Sequence, residues 1–273
     1  MKSKKIVRII GMVLSAAVFC FAAWKLLSYA LSTILISSSV KDLSNEAVTV
    51  VETAEPTPTP TPTEAPAVDE PIATQLAEAT PFISTEQAPI SVDFNTLTAQ
   101  HPDIVGWLYQ EGTVINYPVV QTTDNDYYLY RMIDGTENTC GTLFMDFRDD
   151  IAGEHPIAMI YGHNMKTGIM FGTVDKYKEQ DYYEKHPVLW YMTANGGYKL
   201  EAAAGFVVDA TDAIFANGTE HQFASLQKGF EKSTFDSGIS YSEKDRYVIL
   251  STCSYEYDNA RYLLVCRAIA LAQ

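Results

Sequence analysis

Residues 247–265 read Tyr247-Val248-Ile249-Leu250-Ser251-Thr252-Cys253-Ser254, then a polar loop over 255–259, then Ala260-Arg261-Tyr262-Leu263-Leu264-Val265. Two apolar runs rich in β-branched and aromatic residues, joined by a short polar loop, predict adjacent antiparallel strands. Such a hairpin brings the end of one strand beside the start of the next, so Cys253 and Arg261 fall side by side. A guanidinium next to a thiol favours the thiolate and can donate hydrogen bonds to an oxyanion. Alone, the pair does not separate a nucleophile from a buried structural thiol.

Outward from this hairpin the same pattern recurs. Runs at 104–109, 114–120, 141–147, 156–161, 188–192 and 198–208 carry β-branched and aromatic residues with turn signals between them, and with 247–252 and 261–271 they make eight predicted strands. The reading is a mostly β, largely antiparallel barrel or sandwich without internal repeats. Three helical stretches interrupt it. Residues 93–100 predict a lead-in helix, and Met170, Phe171, Val174 and Tyr177 share a helical face. Thr219-x-x-Gln222 has the form of a capping box ahead of Phe223, Leu226 and Phe230, with Lys228 and Lys232 toward the end where the helix dipole favours cations.

The second chemical candidate is His163, in Ile160-Tyr161-Gly162-His163-Asn164-Met165, again directly after an apolar strand. His101, His155 and His186 each precede a proline in turns, and His221 falls in the first turn of the capped helix. Only His163 ends a strand able to abut the cysteine hairpin. The cysteines stand at 20, 140, 253 and 266, without the close spacing of a metal knuckle or a disulfide framework. No metal and no cofactor is predicted. Cys266 lies five residues beyond Arg261, so strand alternation turns it to the opposite face as a small buried hydrophobe, and Cys140 reads as structural too.

The 273 residues, 47% apolar, suffice for one substantial domain with appendages. The net charge of −15 is uneven: residues 1–40 carry five basic and no acidic residues, whereas the other 233 hold 14 Lys and Arg against 34 Asp and Glu. So acidic a body is repelled by a phosphate backbone, which excludes nucleic acid as a partner. From residue 9 to 36 the chain is apolar or small except for Lys25, long enough to span a bilayer at about 1.5 Å per residue. Lys25 either snorkels to the interface or marks the end of the span. The basic flank and the absence of Lys or Arg over 42–130 predict a single-pass anchor with the N-terminus cytoplasmic and the rest extracellular. A cleaved signal peptide is the other reading, given the small residues Ala22-Ala23, but the apolar run outlasts a signal-peptide core. Residues 52–90 hold eight of the twelve prolines and no basic residue, a composition that buries no core and favours extended polyproline II. The predicted organisation is therefore 1–40 basic stub and membrane anchor, 41–90 extracellular Pro/Thr-rich spacer, and 91–273 folded domain.

Taken together, Tyr161-Gly162-His163, Leu250-Ser251-Thr252-Cys253 and the following Arg261 resemble, in chain order, the three signature elements of the sortases. Class B in particular is indicated by Ile115-Asn116-Tyr117-Pro118-Val119-Val120-Gln121, by Leu143-Phe144-Met145-Asp146-Phe147-Arg148, by Tyr182-Tyr183-Glu184-Lys185-His186, and by a helix preceding the cysteine strand. Ile249 stands where many sortases carry Thr, and the Cys-to-Arg spacing of eight is shorter than in class A enzymes. The resemblance spans roughly 93–270 and implies an eight-stranded sortase-type β-barrel. It also implies a cysteine transpeptidase that cleaves the C-terminal sorting signal of surface proteins and joins the new carboxyl end to an amine of a peptidoglycan precursor or a pilin lysine. Cys253 is then the nucleophile, His163 the proton-transfer group, and Arg261 with the Ser254 N–H the oxyanion donors. Asn116, Tyr161, Ser251, Ser254 and Tyr255 are the expected peptide-binding residues. Two rivals remain. A papain-like peptidase places Cys before His and starts a helix at the Cys, against the order here. A non-catalytic, wall-facing binding module suits the anchor and spacer equally well.

Overall fold

The computed structural model describes residues 2–51, 83–216 and 219–272. The chain opens with α1 (Lys2–Ala47), three short strands β1 (Val48–Val50), β2 (Ile83–Ser84) and β3 (Ile90–Val92), and α2 (Phe94–Gln100). β4 (Ile104–Tyr109), β5 (Asn116–Val120), β6 (Leu143–Met145) and β7 (Ile157–Tyr161) follow, then α3 (Gln180–Lys185), β8 (Val188–Thr193) and β9 (Gly196–Asp209). α4 (Thr219–Phe230), β10 (Tyr247–Cys253) and β11 (Ala260–Leu271) complete it. β4 to β11 correspond one to one with the eight strands predicted from sequence. They are ordered β10-β7-β6-β5-β4-β8-β9-β11, and the β10–β11 pairing closes the sheet into a barrel. Pairs β5–β6 and β7–β10 are parallel, and the other barrel pairs are antiparallel.

Alternation along the strands sorts side chains into an interior and two outer layers. Leu143, Ile160, Val248, Leu250, Leu264 and Cys266 belong to the barrel interior cluster. Ile157, Met159, Ile249, Leu263 and Val265 face outward beneath Leu226 of α4. On another outer face Trp107, Val120 and Phe144 pack with Leu43 of α1 and Leu97 of α2. β10 is therefore covered on both faces, which is why its sequence is a continuous apolar run. Each such fully buried aliphatic side chain contributes about 1.5–3 kcal/mol.

The helices depart from expectation in detail. Asp93 caps α2 by accepting from the Thr96 N–H and hydroxyl at 3.1 and 2.7 Å. Gln222, read as the far partner of a capping box, instead donates to the Ile214 carbonyl at 3.1 Å. The expected helix through Met170 and Tyr177 is only a 3-10 turn, Val174–Lys178; Met170 has φ 53 and is buried from the loop before it.

α1 contains no proline and runs unbroken onto the barrel. Its outer portion exposes Ile9, Leu14, Phe19, Trp24 and Leu27, while Ile36, Leu43 and Ala47 are buried against the barrel side. The Asn138 amide donates to the Ser32 carbonyl at 3.0 Å and the Asn116 amide to the Ser44 hydroxyl at 3.0 Å. Among the described residues this is the one helix long and apolar enough to cross a membrane, a criterion that a signal sequence also meets.

Residues 41–51, assigned by composition to the spacer, form the end of α1 and β1. β1 pairs antiparallel with β3, and the Val51 N–H donates to the Pro89 carbonyl at 2.8 Å. The Pro/Thr run itself lies outside the described residues, and the chain beyond it is fixed to the folded unit twice, through β2 on β11 and through β3 on β1. A protease cut within 52–82 is therefore expected to yield two fragments that co-elute on gel filtration in mild detergent and separate only under denaturing conditions. Dissociation of the helix fragment on cleavage would contradict the docked arrangement.

Candidate active site

Three neighbouring strand ends build the site. β7 and β10 run in parallel register with Tyr161 opposite Ser251, and in β10–β11 Cys253 pairs with Arg261. His163 and Cys253 each stand two residues beyond the Tyr161/Ser251 pair, so alternation puts them on that pair's face of the sheet, the outer face. With strands about 4.8 Å apart, His163, Cys253 and Arg261 form a row across β7, β10 and β11. The alignment continues past β7 because the Gly162 N–H donates to the Ser251 carbonyl at 3.1 Å and the Thr252 hydroxyl to the Gly162 carbonyl at 2.8 Å. A Cβ at position 162 would lie 2.5 Å from Leu143 and 2.6 Å from Phe171, so only glycine permits this approach.

All three residues line one groove of about 570 Å³, together with Tyr161, Ser251, Asn125, Leu129, Tyr130, Arg148 and Phe215. His163 Nε2 lies 2.7 Å from the Leu129 carbonyl, and Tyr130 packs on its ring at 5.4 Å. A carbonyl only accepts, so Nε2 carries the proton and Nδ1 of the neutral ring is left as the acceptor. The Asn164 amide donates to the Cys253 carbonyl at 2.9 Å, tying the histidine loop to the cysteine. Such an arrangement provides a nucleophile, a proton-transfer group and a cationic donor around one solvent-open point.

Of the predicted peptide-binding residues, the structure brings Tyr161 and Ser251 into the groove and leaves three outside it. Asn116 accepts from the Trp107 indole N–H at 2.7 Å and donates to Ser44, so it fastens α1 on another face. Ser254 is also engaged elsewhere. Its N–H, expected to hold an oxyanion, donates to the Ala260 carbonyl at 2.9 Å because the hairpin ladder extends one residue past Cys253. Its hydroxyl accepts from Lys178 at 2.9 Å and donates to Glu256. Lys178 also pairs with Glu256 at 2.6 Å. Against the push of burial, Lys178 and Ser254 hold the Glu256 carboxyl down to about 2. Tyr255 is an exposed rim residue with its hydroxyl 3.4 Å from the Asn164 carbonyl. The sequence reading missed Asn125, Leu129, Tyr130, Arg148 and Phe215. Four of these sit in loops or 3-10 turns without periodicity, whereas Arg148, two residues beyond Asp146 in a quoted motif, had a usable signal.

Cys140 and Cys266 are fully buried, and burial pushes both thiols up. Among the described residues no group of three or more His, Cys, Asp or Glu is arranged to hold a metal ion. A cavity of similar size, about 580 Å³, lies at the opposite end of β10 and β11 around Tyr198, Arg246 and Arg267, with no cysteine or histidine in its lining.

Two carboxylates follow β6: Asp146, bonded to three groove-lining side chains, and Asp149, which accepts from the Met159 N–H. Burial alone raises the Asp146 carboxyl, but Arg148, Tyr161 and Asn125 donate to it and bring it below its ordinary value. Asp149 is pushed up to about 6 by burial, offset in part by the Met159 N–H, with the Asp146 charge adding to the rise. A carboxyl raised in the folded state binds more protons than in the unfolded chain, so its stabilisation is complete below about 4 and is lost as pH rises through about 6. Asp149→Asn keeps an acceptor for Met159. It is expected to match the parent in urea unfolding at pH 4 and exceed it by about 1–3 kcal/mol at pH 7.5. Equal midpoints at both pH values would refute this.

No protein-family model matches the chain. Sortase B of Staphylococcus aureus (strain NCTC 8325 / PS 47) is 30% identical over 197 residues, covering 70% of this chain and 80% of that protein. Sortase B of Listeria monocytogenes serovar 1/2a is 34% identical over 171 residues, covering 61% of this chain and 69% of that protein. Among solved structures, the Staphylococcus aureus sortase B–substrate complex superposes with a TM-score of 0.59 at 30% identity, covering 66% of this chain and 85% of that one.

Proposed function

The chain belongs to the class B sortases, a family of cysteine transpeptidases, and from that premise we propose that it cleaves the C-terminal sorting signal of surface proteins on Cys253 and transfers the new carboxyl end to an amine. The observation that carries this reading is the row His163–Cys253–Arg261 opening on one groove. The Cys253 thiolate attacks the scissile carbonyl carbon, and the oxyanion that forms accepts hydrogen bonds from Arg261. Collapse breaks the C–N bond as the His163 imidazolium gives its Nδ1 proton to the leaving amine, leaving a thioester. The incoming amine then attacks the thioester, His163 Nδ1 takes its proton, and the Cys253 thiolate is released. The acceptor is the amine of a peptidoglycan precursor or a pilin lysine. α1 serves as a single-pass anchor with its N-terminus cytoplasmic and the barrel outside.

The papain-like alternative is disfavoured because Cys253 ends a strand and no helix begins there. A pure binding module has no use for a half-exposed thiol flanked by histidine and arginine. Mass spectrometry of the protein incubated with a library of candidate sorting peptides tests the reading. The expected result is an adduct on Cys253 whose mass matches one peptide cut at a single bond, discharged by an added amine. Absence of any adduct across the library, with Cys253 alkylatable, would exclude it.

A further inference from the structure

Asp146 is 1% exposed and is held by three side chains that line the groove. It accepts from Arg148 Nε and a terminal guanidinium N–H at 2.7 Å each, from the Arg148 backbone N–H at 3.1 Å, and from the Tyr161 hydroxyl and Asn125 amide at 2.9 Å each. Asn125, Arg148 and Tyr161 all line the groove, and they come from different segments: the loop before the 3-10 turn Tyr127–Tyr130, the loop after β6, and the end of β7. Arg148 reaches further, donating to the Phe215 carbonyl at 3.2 Å. Phe215 ends the 3-10 turn Ala213–Phe215, and the segment leading into it is fixed beside Arg261, where the Ala210 N–H donates to the Asn259 carbonyl at 3.0 Å. The wall over 210–215 is thus held at one end by the hairpin that carries Arg261 and at the other by Arg148.

We propose that Asp146 and Arg148 are positioning residues for the acyl-donor peptide: Asp146 references three groove-lining segments to one carboxylate, and Arg148 straps the 210–215 segment to the barrel, setting the groove's width. The inference rests on the proposed reaction for its substrate and on geometry alone for the strap. An extended peptide binds most tightly between walls already at the right separation, because little ordering remains to be done on binding. Neither residue belongs to the row that performs chemistry, so the strap acts on ground state and transition state alike, which appears in KM with kcat unchanged. A planar guanidinium is needed because one group must hold the carboxylate with two N–H donors and reach Phe215 with the same fork, which an ammonium lacks.

Asp146→Ala removes the acceptor of five hydrogen bonds inside the wall and is expected to unfold the region, so Arg148→Lys is the informative variant. In the full-length protein, hydrogen–deuterium exchange of the peptide covering 209–216 is expected to speed up about tenfold or more in Arg148→Lys, with 247–253 unchanged. The KM for the sorting peptide is expected to rise about tenfold while kcat, and the rate at which iodoacetamide alkylates Cys253, stay within about twofold of the parent. Unchanged exchange over 209–216 overturns the strap. A fall in kcat with KM unchanged, or slowed alkylation, overturns the positioning role. Failure of the parent to turn over any peptide strikes the proposed reaction instead, and the exchange result still decides the strap.

Discussion

Cys253→Ala is expected to melt within a few degrees of the parent and to show no transpeptidation, a loss on the order of 10⁴-fold or more, as follows when a nucleophile is removed from a group that acts as a unit. No other thiol can take over. Cys140 and Cys266 are wholly enclosed, with burial holding both protonated, and Cys20 sits in the apolar stretch of α1. Cys253 is only half-buried, so its truncation empties no sealed core space. Cys266→Ala is the opposite control, expected to lose about 1–2 kcal/mol of stability through the small cavity it leaves while keeping its activity. A peptide-cleavage assay beside thermal melts checks both, and measurable turnover by Cys253→Ala would remove that residue from the mechanism.

Arg261→Lys is expected to lose on the order of 10²–10³ in rate, the usual cost of one oxyanion donor, mainly in kcat with KM little altered. A guanidinium presents fixed N–H groups to a developing charge, whereas an ammonium is a strongly hydrated point charge on a flexible stem. With the Ser254 N–H engaged by Ala260, the proposed reaction leaves more of the oxyanion's stabilisation to Arg261 than the family resemblance implied. An alternative role for Arg261 would be to neutralise the acidic loop after Cys253, but Lys178 already pairs with Glu256 there. Arg261 also lies close enough to Asp209 to add a small downward pull to that carboxyl, which its Thr211 hydrogen bonds hold below the usual value. If charge near Asp209 were its whole purpose, lysine would serve as well. Steady-state kinetics of the folded Arg261→Lys protein separates the two: near-parental kcat favours the electrostatic role.

The barrel was legible because its strands are buried on one or both faces, and burial forces apolar content at fixed period. The row His163, Cys253 and Arg261 was legible for a related reason: each residue sits at a strand end, where register is inherited from the ladder. What escaped lies where no ladder dictates position. Asn125, Leu129 and Tyr130 reach the groove from an irregular segment, and Phe215 from a turn beyond β9. Asn116 stands away from the groove because its strand faces α1, and only a three-dimensional neighbour, Ser44, reveals that contact. The end of α1 was hidden in the same way: Leu43 and Ala47 are spaced for one helix face, but the shift to proline further on dominates the composition.

The unbroken passage of α1 into the barrel side sets how the proposed enzyme meets its partners. If residue 9 begins the bilayer span, about 20 residues carry it to the outer edge of the hydrocarbon, and Ser32, already bonded to Asn138, stands only about 6 Å beyond it. The barrel then rides at fixed height and tilt, as a stylus on a rigid arm, with no freedom to sweep through the wall above. Its encounters become a search in two dimensions, governed by lateral diffusion. A sorting signal still held in the same membrane would arrive at the groove within a narrow range of heights and directions.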